Sequence, residues 1–177
     1  MALSYNSTSF LIVSLLLISF ILTSVKADLI DDVCSKTQHK DVCLSTLKGD
    51  PRSKGANLKG LMMISMDLSQ KSAQSVRDLV EKLLDEATNP ELKSRYSFCC
   101  TSYNDAIDNL KKLPDLFKSK DYNGINTHAS AALSDPSKCD DKFSGPPAEV
   151  PQLKDANDKL RGLIESILVI SKLLKGR

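Results

Sequence analysis

From residue 58 onward, apolar residues recur every three or four positions, and the pattern breaks only at a few proline- and glycine-marked points. Ala73, Val76, Val80, Leu83 and Ala87 form one stripe, which predicts a long helix over Leu58 to Ala87 ended by Asn89-Pro90. From Glu91, the residues Leu92, Tyr96, Cys99, Tyr103, Ala106, Leu110 and Leu113 form the next stripe, and Pro114 is expected to interrupt or close that helix. A weaker segment beginning at Tyr122 carries Ile125, Ala129, Ala132 and Leu133 and is expected to stop at Asp135-Pro136. Gly145-Pro146-Pro147 marks a loop, after which Leu153, Leu160, Ile164, Ile167, Ile170 and Leu174 predict a final helix over Val150 to Leu174. Upstream, Leu29 to Ser35 and Lys40 to Leu47 read as two short helices before the break at Gly49-Asp50-Pro51. Alternating β-branched runs are missing, so strands have no support. Four amphipathic helices on short loops can bury their stripes only against one another. The expected fold is an all-α antiparallel four-helix bundle with an N-terminal helical hairpin.

The N-terminus follows a different pattern, because Phe10 to Val25 is almost uninterrupted apolar sequence relieved only by Ser14, Ser19, Thr23 and Ser24. It is short for a membrane span of roughly 20 residues. Followed by Val25-Lys26-Ala27, it fits a cleaved signal peptide over residues 1–27, with the mature chain 28–177 starting at Asp28. The segment before the apolar run has no Lys or Arg, so the terminal amine alone supplies positive charge there. The sequon Asn6-Ser7-Thr8 lies inside this segment, so no glycan is expected on the mature chain.

Charge and composition narrow the function. The 24 basic and 22 acidic side chains give a net charge of only +2, without the basic stripe that nucleic-acid binding requires. Removing Lys26 with the signal lowers the excess to one. His39 and His128 are the only histidines, and neither sits in a nucleophile-base pattern; no phosphate loop, nucleophile elbow or metal-ligand spacing occurs. No catalytic residue, cofactor or metal is therefore expected. Asp105 and Asp108 stand three apart beside Lys111 and Lys112, which reads as a solvated, ion-paired helix face. Met62, Met63 and Met66 read as core and bundle-edge packing. Five cysteines, Cys34, Cys43, Cys99, Cys100 and Cys139, would be oxidised in a secreted chain wherever geometry permits. An odd count leaves one over, and counting alone leaves fifteen pairings open.

Several blocks carry a family resemblance. Cys34-Ser35-Lys36-Thr37 with Asp41-Val42-Cys43 resembles the opening cysteine pair of the plant invertase and pectin methylesterase inhibitor family. Cys99, Tyr103 and Asp105-Ala106-Ile107-Asp108-Asn109-Leu110 are similar to its third-cysteine helix, and Ser130-Ala131-Ala132-Leu133 leading to Cys139 and Phe143 to its fourth-cysteine segment. Asp50-Pro51-Arg52-Ser53 and Phe117 to Tyr122 resemble the branch containing plane-tree pollen allergens described as invertase inhibitors. The resemblance covers essentially the whole mature chain.

It implies disulfides Cys34–Cys43 and Cys99–Cys139, with Cys100 outside the pattern. A reduced thiol is the expectation for Cys100; a swapped bridge to Cys139 or an intermolecular disulfide are the alternatives. It also implies a chain with no catalysis of its own, monomeric until it binds and occludes a cell-wall or vacuolar enzyme, pectin methylesterase or acid invertase, with the apoplast as its location. Inhibitors of invertase in this family are associated with a Pro-Lys-Phe tripeptide before the fourth cysteine, where this chain has Lys120-Asp121-Tyr122-Asn123-Gly124. That favours pectin methylesterase. The alternative is a secreted bundle of the same fold acting as a non-inhibitory binding or structural module. A pectinesterase pro-region is not expected, since no catalytic portion follows Arg177. The resemblance places the outsides of the third and fourth bundle segments against the target. The polar positions there are Thr101, Asn104, Asp108 and Lys112, then Asn123, Asn126 and Thr127.

Overall fold

The structure is a computed structural model, described here for residues 29–176. The signal-peptide reading lies outside the described residues. Helix α1 occupies residues 29–34 and α2 Lys40–Gly49, followed by a short 3-10 turn Pro51–Ser53. The long helices are α3 Leu58–Glu86, α4 Pro90–Lys118, α5 Tyr122–Asp141 and α6 Pro151–Lys175. Each packs on its neighbours in a closed ring, α3 on α4, α4 on α5, α5 on α6 and α6 back on α3. The connections 87–89 and 119–121 are too short for anything but antiparallel neighbours.

The helix starts are set by local chemistry. Asn57 Oδ1 accepts the Gly60 amide at 3.0 Å, Asn89 Oδ1 accepts Glu91 at 2.8 Å with Pro90 in the first helical position, and Asp121 Oδ1 accepts Gly124 at 2.9 Å. The predicted stripes supply the core, with Ala73, Val80, Tyr103, Leu110, Leu113, Ile125, Leu153, Leu160, Ile164 and Ile167 fully buried, and Leu61 adds to it from the first half of α3. Met62 and Met66 join them, while Met63 is exposed.

Two expectations are corrected. Neither Pro114 nor Pro136 ends its helix: α4 runs on to Lys118 and α5 to Asp141. A proline inside a helix frees the carbonyl four residues earlier. For Pro114 that carbonyl is Leu110's, and Gln70 of α3 donates its Nε2–H to it at 3.0 Å. A side chain from the adjacent helix thus replaces the lost backbone donor. Pro136 is buried, so its ring contributes to packing where an amide would have contributed to the ladder.

The hairpin is closed by the disulfide Cys34–Cys43 and lies across α6. It rests on Gly162, where an added Cβ would come within 3.0 Å of Val42 and 3.1 Å of His39. His39 offers α2 no side-chain cap; the buried Glu165 of α6 does so instead. Its Oε2 accepts the amides of Gln38 at 2.8 Å and His39 at 3.0 Å, and its Oε1 lies 3.0 Å from His39 Nδ1. Glu165 therefore uses its charge on the positive end of α2.

Candidate functional site

Helices α4 and α5 are fastened together from inside by the Cys99–Cys139 disulfide, with Cα atoms 4.9 Å apart and both cysteines fully buried. Farther along the seam, Asn109 Oδ1 lies 2.9 Å from His128 Nδ1, which makes the histidine nitrogen the donor. Below one end of the seam is a polar network. The Tyr103 hydroxyl donates to Asn157 Oδ1, Asn157 Nδ2 donates to Asp140 and to Glu149, and Arg161 pairs with Asp140. Burial, reinforced by nearby Glu149, pushes the Tyr103 hydroxyl well above its ordinary range. It therefore acts as a fixed donor in a buried brace. The loop after α5 is held by Arg95, whose guanidinium donates to the carbonyls of Gly145, Pro146 and Pro147 at 2.7 to 2.9 Å.

On the outside of α4, Thr101, Asn104, Asp108 and Lys112 are all exposed and step by three and four residues along one face. Asp105 belongs to the same exposed face, and Phe98 extends it toward the helix start. Lys142 lies over the Phe98 ring at 4.1 Å, and Lys112 shares an open notch of about 350 Å³ with His128, Asp115, Leu116 and Ser119. Phe98 and Lys112 therefore border α5. Asp108 is paired with Lys111 at 3.2 Å, and Thr101 Oγ1 donates to the Ser97 carbonyl at 3.3 Å.

The α5 candidates divide. Thr127 is exposed on the outer surface. Asn123 and Asn126 lie on the α6 side of α5, away from α4. Asn123 Oδ1 accepts from Lys175 of α6 at 2.8 Å. Asn126 is half-buried with a sealed, unpartnered Oδ1, and it lies seven and eleven residues before Leu133 and Ser137, which line the cleft beside Arg161 of α6. On the α4 side of α5, the exposed positions are Ala131 and Lys138. Phe98, Ala131 and Lys138 were not singled out by the sequence reading, and Asp105 was read only as part of a solvated, ion-paired helix face. Helical spacing from Thr101 and Asp108 was signal enough for Asp105, whereas an exposed phenylalanine runs against the rule that places aromatics inside.

Cys100 carries the free thiol and is half-buried against α3. Burial, with the nearby Glu81 carboxylate adding to it, pushes its pKa up and keeps it protonated. Such a thiol is a poor nucleophile. Among the described residues no group of His, Cys, Asp or Glu side chains could hold a metal, and no helix is long and apolar enough to cross a membrane.

Fold and disulfides together define a four-helix bundle tied by two disulfides, with an N-terminal helical hairpin lying across its last helix. Residues 28–170 match the family model described as plant invertase/pectin methylesterase inhibitor, and the chain belongs to that family of enzyme inhibitors. It is 43% identical to a protein of Actinidia deliciosa named pectinesterase inhibitor, over 99% of both chains. A Platanus acerifolia protein provisionally named an invertase inhibitor is 31% identical over 98% of this chain and 99% of its own. A crystal structure of a mutant form of an Arabidopsis pectin methylesterase inhibitor superposes with a TM-score of 0.73 at 27% identity, covering 80% of this chain and 93% of that one.

Proposed function

We propose that the chain is a secreted inhibitor of pectin methylesterase, which the α4–α5 face blocks by covering its substrate cleft. The observation that carries this reading is the 43% identity to the Actinidia pectinesterase inhibitor across 99% of both chains. The turn between α4 and α5 supports it. Residues Lys120 to Gly124, where an invertase-type tripeptide would stand, are taken up in chain reversal: Lys120 has a φ of 58°, and Asp121 caps α5. Secretion would follow removal of residues 1–27, and the secreted chain would begin at Asp28.

Titration of the oxidised protein against a plant pectin methylesterase and an acid invertase in parallel tests the reading. Stoichiometric loss of esterase activity with invertase unaffected is the expected result. Changing Lys112→Glu together with Thr127→Arg should raise the inhibition constant more than tenfold, over about 1.4 kcal/mol, without lowering the melting temperature. Lys159→Glu on α6 is the control and should inhibit as the wild type does. A wild-type protein that inhibits neither enzyme across their working pH range would leave the non-inhibitory module as the correct reading.

A further inference from the structure

Phe98 is 38% exposed on the outside of α4, and Met63 is the other large apolar side chain left open among the described residues. Helix stability does not require phenylalanine there, since lysine, glutamate or arginine has the higher propensity at an exposed helical position. Its neighbours on α4 leave the outer part of the ring open. Ser94, Thr101 and Ser102, at the i−4, i+3 and i+4 positions that would otherwise cover it, are all small, and Arg95 is drawn away to the loop carbonyls.

The ring is also held in place. Lys142 Nζ lies 4.1 Å from its centroid, and the backbone that carries Lys142 is anchored by its neighbour Phe143, a buried residue packed on Tyr96 at 5.5 Å between centroids and lying under the Arg95 guanidinium. An exposed aromatic with restricted motion loses little freedom when it is covered, the property that distinguishes interface anchors from ordinary surface residues. The ring belongs to the same face as the polar residues. At 1.5 Å per residue Phe98 stands about 21 Å from Lys112 along α4, while a standard patch of roughly 800 Å² per partner is about 30 Å across. A footprint centred near Asp105 therefore includes both.

We propose that Phe98 is an anchor and specificity determinant of this face, inserting against an apolar or aromatic platform on the rim of the target enzyme's substrate cleft. Sugar-binding clefts present such platforms, and an aromatic partner can stack on them or meet them edge-on. The polar residues from Thr101 to Lys112 then form the contacts around the anchor. This inference rests on the proposed inhibition of pectin methylesterase.

The test measures inhibition constants and surface-plasmon dissociation rates against a plant pectin methylesterase for the wild type and for Phe98→Ala, Phe98→Lys, Phe98→Tyr and Lys142→Ala, with melting temperatures in parallel. Phe98→Ala and Phe98→Lys should raise the inhibition constant about tenfold to a hundredfold, mainly through faster dissociation. Phe98→Tyr should retain most of the wild-type value, and Lys142→Ala, which frees the ring, should cost severalfold. If Phe98→Lys inhibits like an active wild type, the ring lies outside the footprint and the anchor is refuted while the inhibitor reading stands. If the wild type itself does not inhibit, both fall. A loss of inhibition shared equally by Phe98→Tyr and accompanied by a lower melting temperature would make the role structural and overturn the proposal.

Discussion

The most distinctive stabilising contact in the bundle is the one between Gln70 and the carbonyl of Leu110, because the backbone created the need for it. Pro114 has no N–H to give that carbonyl, and Gln70 Nε2 supplies the donor at 3.0 Å from the next helix. In Gln70→Ala the carbonyl loses its protein partner. A buried acceptor left unsatisfied costs about 1–3 kcal/mol, and the half-exposure of Gln70 lets water recover part of it, so the expected loss is about 1–1.5 kcal/mol. For a chain of this size that is about 3–5 °C in melting temperature. In a Pro114→Ala background the new amide reaches the same carbonyl, so removing Gln70 should then cost under about 0.5 kcal/mol. Pro114→Ala alone should stabilise, since proline is about 3 kcal/mol worse than alanine inside a helix, an advantage reduced by the greater freedom of the unfolded alanine chain. The assay is a double-mutant cycle by urea unfolding under non-reducing conditions, with unchanged m-values as the check on two-state behaviour. A coupling energy of about 1 kcal/mol is expected. If Gln70→Ala costs the same in both backgrounds to within about 0.3 kcal/mol, the side chain is not replacing the missing donor and the explanation of the uninterrupted helix fails.

Two further outcomes follow from the bridges and the buried acids. Replacing both Cys99 and Cys139 with alanine, which opens a loop with sequence separation 40, should cost about 4 kcal/mol in the chain-entropy account, against about 2.6 kcal/mol for the Cys34 and Cys43 pair at separation 9; urea unfolding of both double variants gives the comparison. Burial raises the carboxyl pKa of Asp135. The native state therefore holds this proton more tightly than the unfolded chain, so the stabilising contribution is fully present below the unfolded carboxylate pKa and is lost as pH rises through the raised folded value. Asp135→Asn, a mimic of the protonated form, should show a stability difference from wild type that moves in the variant's favour as pH rises through that window; a pH-independent difference would contradict the assignment.

The apolar stripes made most of this fold legible, because helices that bury one face must show that face at steps of three and four. Prolines were harder to read. Pro114 and Pro136 look like stops in one dimension, and only a neighbouring helix reveals that Gln70 satisfies the freed carbonyl or that the Pro136 ring is buried in the core. Glu165 was equally opaque: a carboxylate beside Ile164 and Ile167 on the final stripe gives no sign that it caps a helix some 126 residues earlier. At the candidate face, polarity identified which α4 residues point outward but not the rotation of α5. That rotation turned Asn123 and Asn126 toward α6 and left Ala131 and Lys138 beside α4.

The Cys99–Cys139 bridge has a consequence for recognition beyond its effect on unfolding. It lies directly beneath the paired helices that form the outer face, so those helices cannot slide or rotate past one another as two independent rods. A protein docking there meets a surface whose shape is already set. Little backbone order has to be gained on association, and the free and bound forms of α4 and α5 should superpose closely. Selection among related enzymes then depends on the fit of their own loops to a fixed template. Under reducing conditions the same sequence would present a softer and less discriminating surface, even at temperatures where the bundle remains folded.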